Sequence, residues 1–214
     1  MSTLEDLYHT HHEKGDRLGL SLFKDTRGDF LRNAVGTGKR VLDIGCRDGV
    51  LTETYAKGNE VVGVDIDSAA LAAARERLGI ETTQFDLNGE WPLPPASFDA
   101  VVAGEVLEHL YFPEKVIERI TGVLTSDGVF AGSVPNAFSL RNRFRLFFAQ
   151  KKNTPLGDPT HINHFSRPEL IQMLSRHFKE VTVEPLGRYA ALDKIFPGYF
   201  SFMHLFKAKG KKTG

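Results

Sequence analysis

Three groups of residues could do chemistry. The first is Val41-Leu42-Asp43-Ile44-Gly45-Cys46-Arg47-Asp48-Gly49-Val50-Leu51, a strand pattern running through a glycine-bearing turn into a helix. Glycines in such a turn let backbone approach a ligand closely, and the amides opening the next helix favour a carboxylate or phosphate. The spacing departs from the G-x-G-x-x-G of dinucleotide sites, because Arg47 stands between Gly45 and Gly49; nicotinamide-dependent redox chemistry is therefore disfavoured. The second group is the acids at the ends of apolar runs, Asp65 and Asp86, with Glu105 and His109 after a further run. His109 either lines a pocket or orders its segment by hydrogen-bonding a loop carbonyl. The third is the pair His161 and His164. An imidazole with an ordinary pKa near ~6.5 can take a proton from a hydroxyl or amine at neutral pH, so both are candidate bases. Cys46 has no local histidine or second cysteine and reads as a packing residue in the turn. His9, His11 and His12 lack a spaced carboxylate or thiolate partner, so no metal is expected.

Positioning these groups requires an α/β architecture. Between Lys39 and Val134 short β-rich runs alternate with helical stretches, which predicts a seven-stranded, mostly parallel sheet with helices on both faces once the later strands are added. Strands are expected over 40–44, 60–64, 81–85, 98–103 and 129–134, then 179–185 and around 200–208. Helices are expected over 18–34, over 69–78 with Ser68 as N-cap, over 113–124 with Pro113 in its first turn, over 138–150 and over 168–177. Asp67 reads as a solvent-facing cap. The chain divides into a helical N-terminal segment (1–36), a ligand-binding core (37–136), an insertion (137–166) and a closing helix and strands (167–208), all within one domain; the Lys-rich end reads as a solvated tail.

Composition narrows the classes. The chain of 214 residues holds one cysteine and equal numbers of basic and acidic residues, 27 of each. No disulfide framework, signal core or run of about 18 apolar residues is present, so a cytoplasmic location without a transmembrane segment is expected. The balance argues against nucleic acid as a partner, yet it is a cancellation: residues 1–136 carry 13 basic and 22 acidic side chains, residues 137–214 carry 14 and 5. The second half also holds 10 of the 16 phenylalanines, and is expected to meet the substrate. Within it, 138–150 is a cationic amphipathic stretch whose Leu140, Phe144, Phe147 and Phe148 share a face flanked by Arg141 and Arg145. It reads foremost as a lid, with peripheral contact to a membrane surface and an ordinary surface helix as the other readings. As a lid, Arg141, Phe144, Arg145 and Phe148 would suit a substrate with anionic and apolar parts.

These motifs together resemble class I S-adenosylmethionine (SAM)-dependent methyltransferases, in the small-molecule branch of the type 11/23 kind. Asp43–Gly49 is similar to the family's first motif, D-x-G-C-G-x-G; Val61–Asp65 to its second strand; Phe85-Asp86-Leu87 to the acidic position after the third; and Phe98–Leu110 to the fourth-strand segment with V-L-E-H. The resemblance implies that SAM is held by Asp43, Gly45, Cys46, Gly49, Asp65, Ile66, Asp86, Leu87, Glu105 and His109. Asp65 would take the ribose hydroxyls, since one carboxylate can accept from both members of a diol, and Asp86 the adenine amine. It also implies in-line methyl transfer to an oxygen, nitrogen or carbon of a small-molecule acceptor, with S-adenosylhomocysteine leaving. Ala103-Gly104-Glu105-Val106 lacks the Asn/Asp-Pro-Pro-aromatic pattern associated with nucleobase or amide nitrogens. Arg47 replaces the motif's middle glycine, so either an ordinary backbone conformation there or a side chain directed away from SAM is expected. The alternative is a non-catalytic SAM- or nucleotide-binding module acting through a partner protein.

Overall fold

The computed structural model describes residues 4–14 and 19–212, with side chains for 4–10 and 19–212. The apolar runs form strands β1 (Arg40–Ile44), β2 (Glu60–Asp65), β3 (Glu81–Gln84), β4 (Phe98–Gly104), β5 (Leu124–Pro135), β6 (Phe178–Leu186) and β7 (Met203–Lys211). They lie in one seven-stranded sheet of order β3-β2-β1-β4-β5-β7-β6. Neighbours from β3 to β5 are parallel, and β7 is inserted antiparallel between β5 and β6. The chain winds outward from β1 through β2 to β3, then crosses back to place β4 on the other side of β1. The reversal between β1 and β4 opens a crevice beyond their carboxyl ends, where open parallel sheets bind ligands.

Both faces of the sheet are covered, which is why its strands read as continuous apolar runs rather than alternating ones. On one face of the sheet Leu42, Ile44, Val101 and Ala103 of β1 and β4 share a buried cluster with Val116, Ile117 and Ile120 of α5 (Pro113–Val123) and Leu170 and Leu174 of α7 (Arg167–His177). The opposite face buries Val41, Ala100 and Val102 against Leu31, Ala34 and Val35 of α2 (Lys24–Val35). The register Val41↔Ala100, Leu42↔Val101 keeps each face continuous across the two central strands. A capping box between Ser166 and Glu169 starts α7 and Pro113 starts α5.

The structure corrects several local expectations. Helix α1 (Leu4–Lys14) lies within the segment already expected to be helical. The helix expected over 18–34 begins only at Lys24, because Phe23 takes a left-handed conformation (φ 53°) that stops propagation toward Leu20; Leu18 lies outside the described residues. The cap of α4 (Ser68–Leu78) is Asp67, whose carboxylate accepts from the amides of Ala69 and Ala70, while Ser68 is the first helical residue. Asp67 is buried rather than solvent-facing. Helix α6 spans only Leu140–Phe147. The Lys-rich end is strand to Lys211, whose ammonium donates to the carbonyls of Thr121 (3.0 Å) and Leu124 (2.6 Å). Among the described residues no helix is long and apolar enough to cross a membrane.

Candidate active site

The carboxyl ends of the parallel strands open into a cavity of about 670 Å³, within the ~300–1,000 Å³ usual for small-molecule sites. Its floor is the turn after β1. Gly45 (φ 66°), Arg47 (φ 52°) and Gly49 (φ 77°) are all left-handed, which reverses the chain within five residues. The amides of Gly45 and Cys46 both donate to the Val64 carbonyl, and that of Arg47 to Asp65 Oδ2 at 2.9 Å. Of the two alternatives expected for Arg47, an ordinary backbone conformation is therefore excluded. A left-handed non-glycine residue costs roughly 1–2 kcal/mol, which the bond to Asp65 and the side-chain contacts offset. Its guanidinium runs along the rim to Asp48 Oδ1 (3.1 Å) and the Leu20 carbonyl. Gly45 is required twice over, since a Cβ there would lie 2.5 Å from Val106 Cγ2. Gly63 on the neighbouring strand leaves room for Cys46, whose sulfur would be 2.8 Å from a Cβ at that position. Burial pushes the Cys46 thiol well above its usual pKa, consistent with packing rather than nucleophilic chemistry.

Beneath the turn, Asp43 is buried and accepts from Thr52 Oγ1 and Tyr55 Oη, each at 2.6 Å. Burial raises its pKa to about 6, against the opposing effect of these two donors. Asp65 Oδ1 accepts the Asp67 amide at 3.0 Å. Its Oδ2 accepts one further amide, that of Arg47. Asp86 uses Oδ1 for the backbone amide (2.8 Å) and side-chain amide (3.0 Å) of Asn88. Glu105 (φ 63°) turns the chain after β4 and pairs with buried Arg27 at 2.9 Å. His109 does both things open to it: it lines the cavity, and its Nδ1 lies 3.0 Å from the Thr160 carbonyl.

The structure brings Asp43, Gly45, Cys46, Asp65 and Ile66 to this one cavity, with Asp86, Leu87, Glu105 and His109 beside them. Gly49 is absent from the lining; it closes the turn against Leu78 of α4. The two candidate bases separate. His161 lines the cavity with Nδ1 3.2 Å from the Pro155 carbonyl, and burial lowers its pKa. His164 lies outside the lining, its Nε2 buried without a hydrogen-bond partner. Neighbouring residues of an extended loop project in different directions, so spacing alone could not choose between them.

The lid is corrected more heavily. Of Arg141, Phe144, Arg145 and Phe148, only Arg141 reaches the cavity. Leu140, Phe144, Phe147 and Phe148 turn outward, Phe147 being 83% exposed. Ser139 and Asn142 supply α6's other contacts with the cavity, anchored by the Asn142 side-chain amide on the Asn136 carbonyl at 2.9 Å. The basic second half is likewise turned mostly elsewhere: Arg141 is its only lysine or arginine in the lining, and Lys211 and Lys212 tie down backbone carbonyls instead.

Sequence reasoning missed Arg27, Tyr8, Leu20, Ser21 and Leu22 on the cavity wall. The one available signal for Arg27 was an arginine on the apolar face of α2, where it is 2% exposed. Glu108 was also passed over as a site residue. It is 1% exposed, both carboxylate oxygens lack a partner among the described residues, and burial raises its pKa well above the usual value. His9 lies 3.4 Å from Asp67 Oδ2; the side chains of His11 and His12 lie outside the described residues.

A family model described as a methyltransferase domain matches residues 21–177. A Mycolicibacterium smegmatis protein named "Probable S-adenosylmethionine-dependent methyltransferase" is 33% identical over 138 residues, covering 64% of this chain and 50% of its own length. The chain thus spans about half the length of that relative. A ubiquinone biosynthesis O-methyltransferase of Nitrosococcus oceani is 30% identical over 172 residues, covering 77% of this chain and 73% of its own. Among solved structures, the 1,6-didemethyltoxoflavin-N1-methyltransferase of Burkholderia thailandensis, crystallised with 1,6-didemethyltoxoflavin and S-adenosylhomocysteine, shares the fold. Its TM-score is 0.68 at 20% identity, over 97% of this chain and 86% of that one.

Proposed function

Since the chain belongs to the class I SAM-dependent methyltransferase family, we propose that it methylates a hydroxyl oxygen of a small, partly apolar acceptor bound in the cavity beyond β1 and β4. SAM, when bound, supplies an electrophilic methyl group on a sulfonium. The observation that carries the reading is the convergence of Asp65 and Asp86 on one cavity beside the left-handed turn at Gly45. Both are acceptor-only groups, matched to the hydroxyls of a ribose and the amine of an adenine. Asp86 Oδ2 takes no donor from the protein among the described residues, and Asp65 lines the same cavity. The residues present therefore fit a nucleoside, with the backbone at Gly45 and the 105–109 segment beside its amino-acid portion.

The acceptor's share of the work falls to the wall opposite. Leu20, Leu22 and Phe202 supply apolar lining and Arg141 a cation, which suits an acceptor with an apolar body and an anionic edge. Placing nucleophile and methyl in line at roughly 3–3.5 Å supplies much of the rate in such transfers. His161 presents the one remaining candidate for handling the acceptor's proton. A carbonyl can only accept, so His161 Nδ1 carries the hydrogen toward Pro155 and Nε2 carries the lone pair. Oxygen is favoured over nitrogen or carbon because the Nitrosococcus relative is named as an O-methyltransferase.

The test is ligand-dependent thermal unfolding. SAM and S-adenosylhomocysteine should raise Tm and NAD(H) should not, since a ligand at ~100 times its Kd adds about 2.7 kcal/mol. Asp65→Ala should abolish the SAM-dependent rise. Stabilisation by NAD(H) alone would overturn the reading, and an unchanged SAM response in D65A would refute the ribose assignment.

A further inference from the structure

His109 and His161 of the cavity lining stand close to buried Glu108, a donor set to which the reading above assigns no cation. Glu108, His109 and His161 each offer one ligand atom, and the three atoms lie within 4.8 Å of one another. We propose that they bind a single divalent transition-metal cation whose remaining coordination positions face the cavity and hold a hydroxyl oxygen of the acceptor.

Three observations carry this. Glu108 is 1% exposed and neither carboxylate oxygen has a partner among the described residues; a buried carboxylate is normally paired, or coordinates a metal. Both imidazoles have Nδ1 against a backbone carbonyl, His109 on Thr160 at 3.0 Å and His161 on Pro155 at 3.2 Å. Carbonyls only accept, so each ring carries its hydrogen on Nδ1 and its lone pair on Nε2. Such an outer hydrogen bond is what fixes the tautomer of metal-ligating histidines. Finally, the two loops bearing the donors are stitched together independently of any ion. The Glu108 carbonyl accepts from the amides of Ile162 and Asn163, both at 2.9 Å, so the set is held close before a cation arrives. The rings of His109 and His161 meet edge to face at 4.8 Å between centroids.

Two imidazoles and a carboxylate suit Zn²⁺ or Mn²⁺ better than Ca²⁺, which prefers an all-oxygen shell. Zinc–ligand distances of about 2.0–2.1 Å in a tetrahedral site place two donors roughly 3.3–3.4 Å apart, so a pair here as wide as 4.8 Å would close by up to about 1.4 Å on binding. Asp158 Oδ2, 3.8 Å from His161 Nε2, is near enough to join; Glu105 is engaged by Arg27. With three protein ligands the site stays open, and a cation there would anchor an acceptor hydroxyl and make it more acidic. The His161 lone pair is then a ligand, and the hydroxyl's proton leaves to solvent. The substrate class narrows to acceptors presenting a hydroxyl to a metal. This last step rests on the methyltransferase reading; cation binding itself does not.

The experiment uses untagged full-length protein, stripped with EDTA, equilibrated with Zn²⁺ or Mn²⁺ alone and assayed for bound metal by mass spectrometry, with SAM affinity measured separately by calorimetry. Wild type should retain one equivalent. Glu108→Gln and His161→Ala should each weaken binding by at least ~10-fold while keeping SAM affinity, which shows that they fold. The variant H9N/H11N/H12N should retain the equivalent. No bound metal in wild type, equal binding in E108Q and H161A, or loss confined to the N-terminal histidine variant would each overturn the proposal. Metal binding without SAM binding would instead overturn the methyltransferase reading and leave the cation site standing.

Discussion

Changing Glu105 to Gln removes a charge from opposite Arg27 while keeping the side chain's shape. The two groups lie 2.9 Å apart, with side-chain exposures of 2% for Arg27 and 30% for Glu105. Arg27 Nη1 also donates to Ser21 Oγ (3.1 Å) and the Leu22 carbonyl (3.2 Å), so the guanidinium ties the chain before α2 to the end of β4 across the cavity. Leaving a fully buried charge without its partner costs about 3–5 kcal/mol. Solvent already screens half-buried Glu105, and Asp43 lies within Coulombic reach of Arg27, so a discounted cost of about 2 kcal/mol is expected for E105Q. For a chain of this length that lowers Tm by roughly 4–8 °C. Arg27→Met should cost less, about 1 kcal/mol, because water in the cavity can solvate the Glu105 left behind. The double variant should resemble R27M rather than sum the two losses. Urea unfolding followed by circular dichroism measures all three. An E105Q within ~0.5 kcal/mol of wild type, or an R27M that costs more than E105Q, would refute the argument that a buried cation depends on this carboxylate.

Other consequences are equally direct. Gly45→Ala adds a left-handed alanine and a 2.5 Å approach to Val106 Cγ2; a loss of about 2–4 kcal/mol is expected, and G45A/V106A should recover only the steric part, so full recovery would show that backbone strain is negligible. Tyr55→Phe removes a 2.6 Å donor from buried Asp43 and should cost about 1–3 kcal/mol at pH 7.5. That cost should shrink as the pH falls below Asp43's pKa of about 6; a pH-independent loss would mean that Asp43 is not the partner. His204 is buried with both ring nitrogens unpartnered, and burial lowers its pKa to about 4. The unfolded chain takes up this proton from about pH 6.5 downward and the folded chain only near 4. Stability present above 6.5 should therefore fall by up to about 1.4 kcal/mol per pH unit between the two values. Substituting Phe for His204 should flatten that part of the profile, and an unaltered slope would assign it to other groups.

The parts of this protein written in its sequence are those set by neighbours along the chain. Strands buried on both faces must be continuously apolar, so β1, β2 and β4 stand out at nearly their observed bounds. A strand-end acid such as Asp65 or Asp86 is placed by the strand before it, and a glycine turn is placed by its own backbone. These local facts were enough for the α/β architecture and for the acids and glycine turn that the fold gathers at one cavity. What they could not supply is any contact made by chain crossing. Arg27 meets Glu105 across 78 positions, and Glu108 meets the 161–163 loop only because β4 and β5 lie side by side beyond the point where strand order reverses. The same limit explains the misplaced lid: periodicity correctly grouped Phe144, Phe147 and Phe148 on one face of α6. Which way that face points depends on the anchorage of Asn142 to Asn136 and on β7 running beside β5. A helix's period determines which residues share a side; only its packing partners determine what that side faces.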